Sequence, residues 1–160
     1  VRLNLGCSDG HLRDFINVDI CPPADQIADL RGMWPWPDSS VDHIRAYDII
    51  EHMPDKIHTM NEAWRVLRPG GTFDIFVPTT LGEGAFQDPS HVSYWCRGSF
   101  LYHTVGVAEY ERFKLSLGLR GGFSVISCDD HGQWYGGYVK ANGETAMSVH
   151  KLKIVLAAVK

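Results

Sequence analysis

The chain has 160 residues and a net charge of −4, with 15 Lys and Arg against 19 Asp and Glu. That is the size of one domain, and with no basic tract beyond Lys151, Lys153 and Lys160 it argues against a grip on a nucleic-acid backbone. No apolar run is long enough to span a membrane, and Cys7, Cys21, Cys96 and Cys128 form no C-x-x-C pair, so free thiols in a reducing cytoplasm are expected.

The first strand signal, Arg2–Leu5, ends in the turn Gly6-Cys7-Ser8, and a second at Phe15–Ile20 delivers Asp19 at its C-terminal end. An open α/β sheet prepares a nucleoside site in this way, with backbone N–H groups in the first turn and a ribose-binding acid after the second strand. In the dinucleotide version the acid lies about 20 residues past the glycine turn, with a helix between. Here only Gly10 to Phe15 separate turn from strand, room for roughly one to two helical turns. A pyrophosphate needs a helix N-terminus aimed at it, so the expected ligand is a nucleoside without phosphates.

Further strand signals fall at Gln26–Leu30, His43–Asp48 and Thr72–Val77. Between the last two, Ile57, Met60, Ala63, Trp64 and Leu67 recur at helical spacing, behind Pro54-Asp55 and before the stop signal Arg68-Pro69-Gly70-Gly71. A second helical patch covers Arg97–Tyr102, and Phe123–Cys128 and Lys151–Val159 read as strands around the turn signal Asn142-Gly143. The alternation predicts one α/β domain over 1–160 with a mostly parallel sheet. Cys128-x-x-His131 and Cys7-x-x-x-His11 have a zinc-like look without compatible spacing, and no metal is expected.

Four stretches, taken in order, carry a resemblance. They are Leu3 to Asp19; Ala28-Asp29-Leu30 with Trp34 to Asp42; Tyr47-Asp48-Ile49-Ile50-Glu51-His52-Met53; and Glu62-Ala63-Trp64-Arg65-Val66-Leu67-Arg68-Pro69-Gly70-Gly71. Together they resemble the class I S-adenosylmethionine-dependent methyltransferases, closest to the small methyltransferase-11-like branch whose first helix has shrunk to a turn. Ser8 stands where that family usually has glycine. The resemblance implies a Rossmann-like seven-stranded, mostly parallel sheet with an antiparallel edge strand, and S-adenosylmethionine as cofactor. The chain begins at Val1, one residue before the first strand signal, which leaves room for native residues upstream; in the family such residues often cover the cofactor.

The resemblance also distributes roles. Backbone N–H groups of Gly6, Cys7 and Ser8 would hold the methionyl carboxylate. Asp19, with Ile20 beside it, would accept from the ribose hydroxyls, since an ionised carboxylate suits a vicinal diol; its alternative is a turn-capping role before Cys21-Pro22-Pro23. Asp29 would accept from the adenine amino group while the Leu30 N–H donates to the ring; its alternative is a cap before Arg31-Gly32. Trp34 or Trp36 would pack on adenine or serve as hydrophobic cover. Tyr47, through its carbonyl, or Asp48 would meet the cofactor's ammonium group. Glu51 reads as structural, pairing with Arg65, and His52 as either a base or a turn-positioning residue.

The loop from Gly84 to Trp95 is dense in acid, histidine and aromatics, and function concentrates in loops at the carboxyl ends of sheet strands. Asp88 and His91 form either a proton relay or a lock on the loop, with a metal shared between His91 and His52 as a third reading. Phe86, Tyr94 and Trp95 wall a pocket or belong to the core. The expectation is methyl transfer to a small-molecule acceptor, oxygen slightly favoured, in a cytoplasmic protein without nucleic-acid or membrane partners. The alternatives are a catalytically silent binding module and a nicotinamide oxidoreductase, against which the missing G-x-G-x-x-G turn argues.

Overall fold

Alternating apolar residues in the β-strands build a seven-stranded sheet in the computed structural model, which describes residues 1–130, the short pair 138–139 and 145–146, and residues 150–160. The strands are β1 (Arg2–Leu5), β2 (Ile16–Asp19), β3 (Gln26–Ile27), β4 (Val41–Tyr47), β5 (Leu67–Pro78), β6 (Gly122–Asp129) and β9 (Lys151–Val159), with β7 (Tyr138–Val139) and β8 (Thr145–Ala146) pairing separately. The sheet order is β3-β2-β1-β4-β5-β9-β6. All pairs from β3 to β5 are parallel, and β9 runs antiparallel to both neighbours. The antiparallel strand therefore inserts between β5 and β6 at that edge of the sheet, rather than lying outside them. The Asn142-Gly143 turn signal and His131 lie outside the described residues.

The expected helix forms as α1 (Lys56–Val66), capped where the Asp55 side chain accepts the His58 N–H at 2.9 Å. Met60, Ala63 and Val66 are its buried face. It ends one residue early, and Leu67 opens β5 in extended geometry; Pro69 bars helical backbone at the residue before it. Helices α2 (Arg97–Leu101) and α3 (Ala108–Glu111) are short. No helix among the described residues is long and apolar enough to cross a membrane.

The sheet has two unlike faces. Leu3, Leu5, Val18, Ile44, Ala46, Phe73, Ile75, Val77, Ile154 and Leu156 join one apolar cluster with Met60, Ala63, Trp34, Trp36, Trp95 and Phe100. The opposite face carries polar pairs. Tyr47 Oη donates to Asp74 at 3.0 Å, Arg45 donates to Asn4 at 2.8 Å, and His43 Nδ1 bonds Thr72 Oγ1 at 2.6 Å. Arg45 also lies over the Tyr47 ring at 3.7 Å and Arg2 over Phe15 at 4.1 Å.

A parallel crossover normally takes a dozen or more residues and a helix. The link from β1 to β2 forms no helical turn at all. Asn17 replaces the helix as organiser: its Oδ1 accepts the Leu12 N–H at 2.8 Å, and its Nδ2 donates to Leu12 O at 3.2 Å and to Asp25 at 2.7 Å. Asn4 Nδ2 donates to both Asn17 Oδ1 and Gly10 O. Two buried asparagines thus satisfy the backbone that a helix would otherwise satisfy internally.

Candidate active site

The sheet order reverses between β1 and β4, and there the carboxyl ends of the strands open a cavity of about 270 Å³. Open α/β sheets bind ligands at this kind of switch point. Gly6 follows β1, Asp19 and Ile20 end β2, Ala28 to Arg31 follow β3, and Ile49, His52 and Met53 follow β4; these line the cavity.

Gly6 has a φ of +65°, and a Cβ there would lie 2.8 Å from Ile49 Cβ. Only a residue without a side chain passes between the cavity and Ile49. Two of the turn's N–H groups are engaged within the protein: Cys7 N–H donates to Val18 O at 3.1 Å and Ser8 N–H to Asp19 at 2.9 Å. Cys7 is buried and neither it nor Ser8 lines the cavity.

Asp19 is oriented by backbone. One oxygen takes Ser8 N–H, the other Ile20 N–H at 2.7 Å and Cys21 N–H at 3.4 Å. Partial burial opposes ionisation, but these N–H groups outweigh it and hold the carboxyl below its ordinary range. Asp29 is gripped by its neighbour: the Arg31 guanidinium donates to both oxygens, at 2.9 and 2.7 Å, and pulls the carboxyl to about 2. Leu30 is buried, and its carbonyl accepts Trp34 Nε1 at 3.0 Å.

Trp34 and Trp36 are buried edge-to-face against each other, 6.2 Å between centroids. They line no cavity wall and act as the cover over Leu30. Tyr47 and Asp48 also lie outside the cavity lining. The Tyr47 ring sits on the polar sheet face, and Asp48, at a φ of +52°, pairs with Lys151.

The expected Glu51–Arg65 pair does not form. Arg65 instead binds Glu62, Asp38 and the carbonyls of Trp34 and Trp36, because it sits one helical turn from Glu62 on α1 and faces the tryptophan loop. Glu51 is left 1% exposed, with no hydrogen-bond partner among the described residues for either carboxylate oxygen. Burial dominates and, with the charge of Asp48 adding to it, pushes this carboxyl up to about 7, against the opposing influence of its own backbone N–H, His91 and Lys151.

His52 and His91 meet beside it, ring centroids 4.9 Å apart in an edge contact. His91 Nε2 lies 3.9 Å from Glu51 Oε1 and 3.8 Å from Asp88 Oδ2. Asp88 Oδ1 accepts the Ser90 N–H and hydroxyl, so the residue both locks the turn and faces His91. The loop is pinned to the 3-10 turn Ile50–His52, where Val92 and Ser93 N–H donate to Glu51 O. Trp95 is fully buried, whereas Phe86 and Tyr94 are exposed against one another. The proximity of Glu51 to the histidines was missed in the sequence, where the Glu51-His52 dipeptide in a strand-end turn was the available signal.

The model of the methyltransferase domain family matches residues 3–75. That match covers just under half of the chain and is to methyltransferase domains. The chain is 51% identical over 89 residues to the 27-O-demethylrifamycin SV methyltransferase of Amycolatopsis mediterranei, a match covering 53% of the chain and 31% of that relative. The chain thus spans under a third of that relative's length. Among solved structures, the chain bound to the Trm112 methyltransferase activator of Haloferax volcanii superposes with a TM-score of 0.66 at 20% identity, over 99% of this chain and 82% of that one. An S-adenosylmethionine-dependent methyltransferase from Archaeoglobus fulgidus gives 0.66 at 13%, over 98% and 85%. Both show the shared fold.

S-adenosylmethionine is the cofactor these matches imply, and the cavity suits it. Two carboxylates, Asp19 and Asp29, stand among apolar walls from Ala28, Leu30, Ile49 and Met53. Acceptors of that kind fit a ribose diol and an amino group, and apolar walls fit a purine ring. The one cationic side chain in the lining, Arg31, is already paired with Asp29.

Proposed function

We propose that the chain transfers a methyl group from S-adenosylmethionine to an oxygen of a small-molecule acceptor. The observation that carries this is the single cavity that runs from Asp19 and Asp29 to His52, joining a nucleoside-binding rim to a Glu–His–His cluster. The cofactor, when bound, supplies an electrophilic methyl on sulfur. What remains for the protein is alignment of the acceptor and removal of its proton.

In this reading Asp19 takes the ribose hydroxyls and Asp29 the adenine amino group, sharing its oxygens with Arg31. Gly6, Ile20 and Leu30 shape the walls. Tyr47 O and Asp48 lie one step beyond the cavity, with the Lys151 contact to be exchanged if Asp48 meets the ammonium group. Cys7 and Ser8 support the turn, their own N–H groups being engaged. His52 lines the acceptor end, and His91 with Asp88 stands behind it as the route for the proton. Proton-accepting groups at this end support an acceptor that loses a proton as it is methylated, such as a hydroxyl, over a neutral amine. The Amycolatopsis relative, named for a 27-O-demethyl substrate, supports oxygen.

Calorimetry tests the cofactor. S-adenosylhomocysteine should bind and NAD should not; NAD binding without a response to S-adenosylhomocysteine would overturn the reading. The acceptor is tested by incubating the protein with S-adenosylmethionine and a panel of small-molecule alcohols and phenols, 27-O-demethylrifamycin SV among them, with amines and activated carbon acids. Products should carry the label from methyl-labelled cofactor on oxygen.

A further inference from the structure

We propose that Glu51, His52 and His91 form a binding site for a first-row divalent metal ion at the acceptor end of the cavity, with Asp88 as a fourth donor. One ligand atom from each of the first three lies within 4.8 Å of the others. The residues come from two segments, the turn after β4 and the loop after β5, and backbone hydrogen bonds hold these together. Val92 N–H reaches Glu51 O at 2.9 Å, Ser93 N–H reaches it at 3.0 Å, and Ser93 Oγ donates to Ile50 O at 3.0 Å. The cluster is built into the fold.

Both imidazoles are set up as ligands. His52 Nδ1 bonds the Ser90 carbonyl at 3.1 Å, and His91 Nδ1 bonds the Ala85 carbonyl at 3.1 Å. A carbonyl oxygen only accepts, so each Nδ1 carries the proton and each Nε2 presents a lone pair. Metal-binding histidines are fixed by this same arrangement, one ring nitrogen donating to a carbonyl while the other binds.

Glu51 supplies an independent observation. It is 1% exposed, and both its oxygens lack a hydrogen-bond partner among the described residues. A buried carboxylate without partners is costly, and His91 Nε2 lies 3.9 Å from its Oε1. That separation is too long for a hydrogen bond between the two, and a cation held between them would give both a partner. Metal–nitrogen and metal–oxygen bonds of about 2.0–2.2 Å place tetrahedral ligands roughly 3.3 Å apart, which the observed 3.9 Å reaches by closing roughly half an ångström. Asp88 Oδ2, 3.8 Å from the same nitrogen, stands at the open side.

Two imidazoles with carboxylates favour zinc, manganese, iron or cobalt over magnesium or calcium, which prefer all-oxygen sets. Because His52 also lines the cofactor cavity, an open coordination position there would face an acceptor oxygen, and the metal, by acidifying that hydroxyl, would then take the place of a free His52 as the means of losing its proton. This last consequence rests on the methyl-transfer reading; metal binding itself does not.

The test is titration of the full chain with cobalt(II), read by visible d–d absorption, and with zinc by calorimetry. One equivalent should bind, and His52→Ala and His91→Ala should each weaken binding at least tenfold while circular dichroism and the thermal unfolding midpoint stay native-like, which shows the variants folded. Glu51→Gln serves as a third variant, with His52→Ala, at a partly exposed position, as the one least able to disturb folding. No saturable binding by the native chain, or binding unchanged in both histidine variants, overturns the site. Loss of S-adenosylhomocysteine binding in the native chain would instead overturn the cofactor reading, so the two failures are separable.

Discussion

Asp19 accepts the Ser8 N–H at 2.9 Å, which ties the end of β2 to the loop after β1 before any ligand arrives. The carboxylate that would hold the ribose is therefore also the clasp of the loop. Asp19→Ala removes both. The expected loss is about 1.5–3 kcal/mol if the ribose bond is charge-assisted, roughly 10- to 150-fold in affinity for S-adenosylhomocysteine by calorimetry. Unchanged affinity in a folded variant would place the ribose elsewhere.

Gly6→Ala should destabilise the fold. The new Cβ sits at a φ of +65° and within 2.9 Å of three Ile49 side-chain atoms. Left-handed backbone costs a non-glycine residue roughly 1–2 kcal/mol, and overpacking about 1–3 kcal/mol more. Because Ile49 Cβ is itself one of the three atoms, Ile49→Ala should relieve only part of the loss in the double variant. Chemical denaturation of the four proteins of the cycle measures this, and full additivity would show that the two residues do not share the strain.

Arg65→Met should cost on the order of 3 kcal/mol, since it strips the counter-charge from the buried Glu62 carboxylate. It also frees the carbonyls of Trp34 and Trp36. Arg65→Lys should recover little, because a single ammonium cannot reproduce a planar fork with four partners. Denaturation midpoints of the two variants decide it; a lysine variant as stable as the native chain would show that charge alone suffices.

His103 is 6% exposed, and burial, with the charges of Lys114 and Lys56, holds its pKa at about 4 against an ordinary 6.5. Between those values the unfolded chain binds a proton that the folded one refuses. The resulting stability is complete above pH 6.5 and declines as pH falls through the window, by about 2 kcal/mol between pH 7.5 and 5. Glu51, raised rather than lowered, contributes the opposite slope to native and variant alike. The difference between the native chain and His103→Leu therefore isolates the histidine. Parallel pH profiles for the two would refute its burial as a neutral ring.

Local chemistry was enough to read most of the fold. The Arg2–Leu5 and Lys151–Val159 strands lie where their patterns place them, and the Asp55 cap and Pro69 bound α1 nearly as read. The cavity lining brings together Gly6, Asp19, Ile20, Asp29, Leu30 and His52 because a strand-end motif already implies a carboxyl-end position. What depended on side-chain direction was less legible. Tyr47 and Asp48 end the right strand, but pleating turns the Tyr47 ring to the polar face. Arg65 has two carboxylates within sequence reach, and only the helix geometry selects Glu62 over Glu51. The approach of His91 to Glu51 depends on a long-range bond pattern between two loops, which no periodicity encodes.

The unlike faces of the sheet give β4 two tolerance regimes that alternate residue by residue. Ile44, at 0% exposed, is locked among close-packed neighbours, and truncation to alanine there should leave a void costing about 2–5 kcal/mol. One position away, His43 and Arg45 answer to water and to polar partners. Substitution on the polar face is then limited by hydrogen-bond partners, as at Asn4 and Arg45, and on the apolar face by volume.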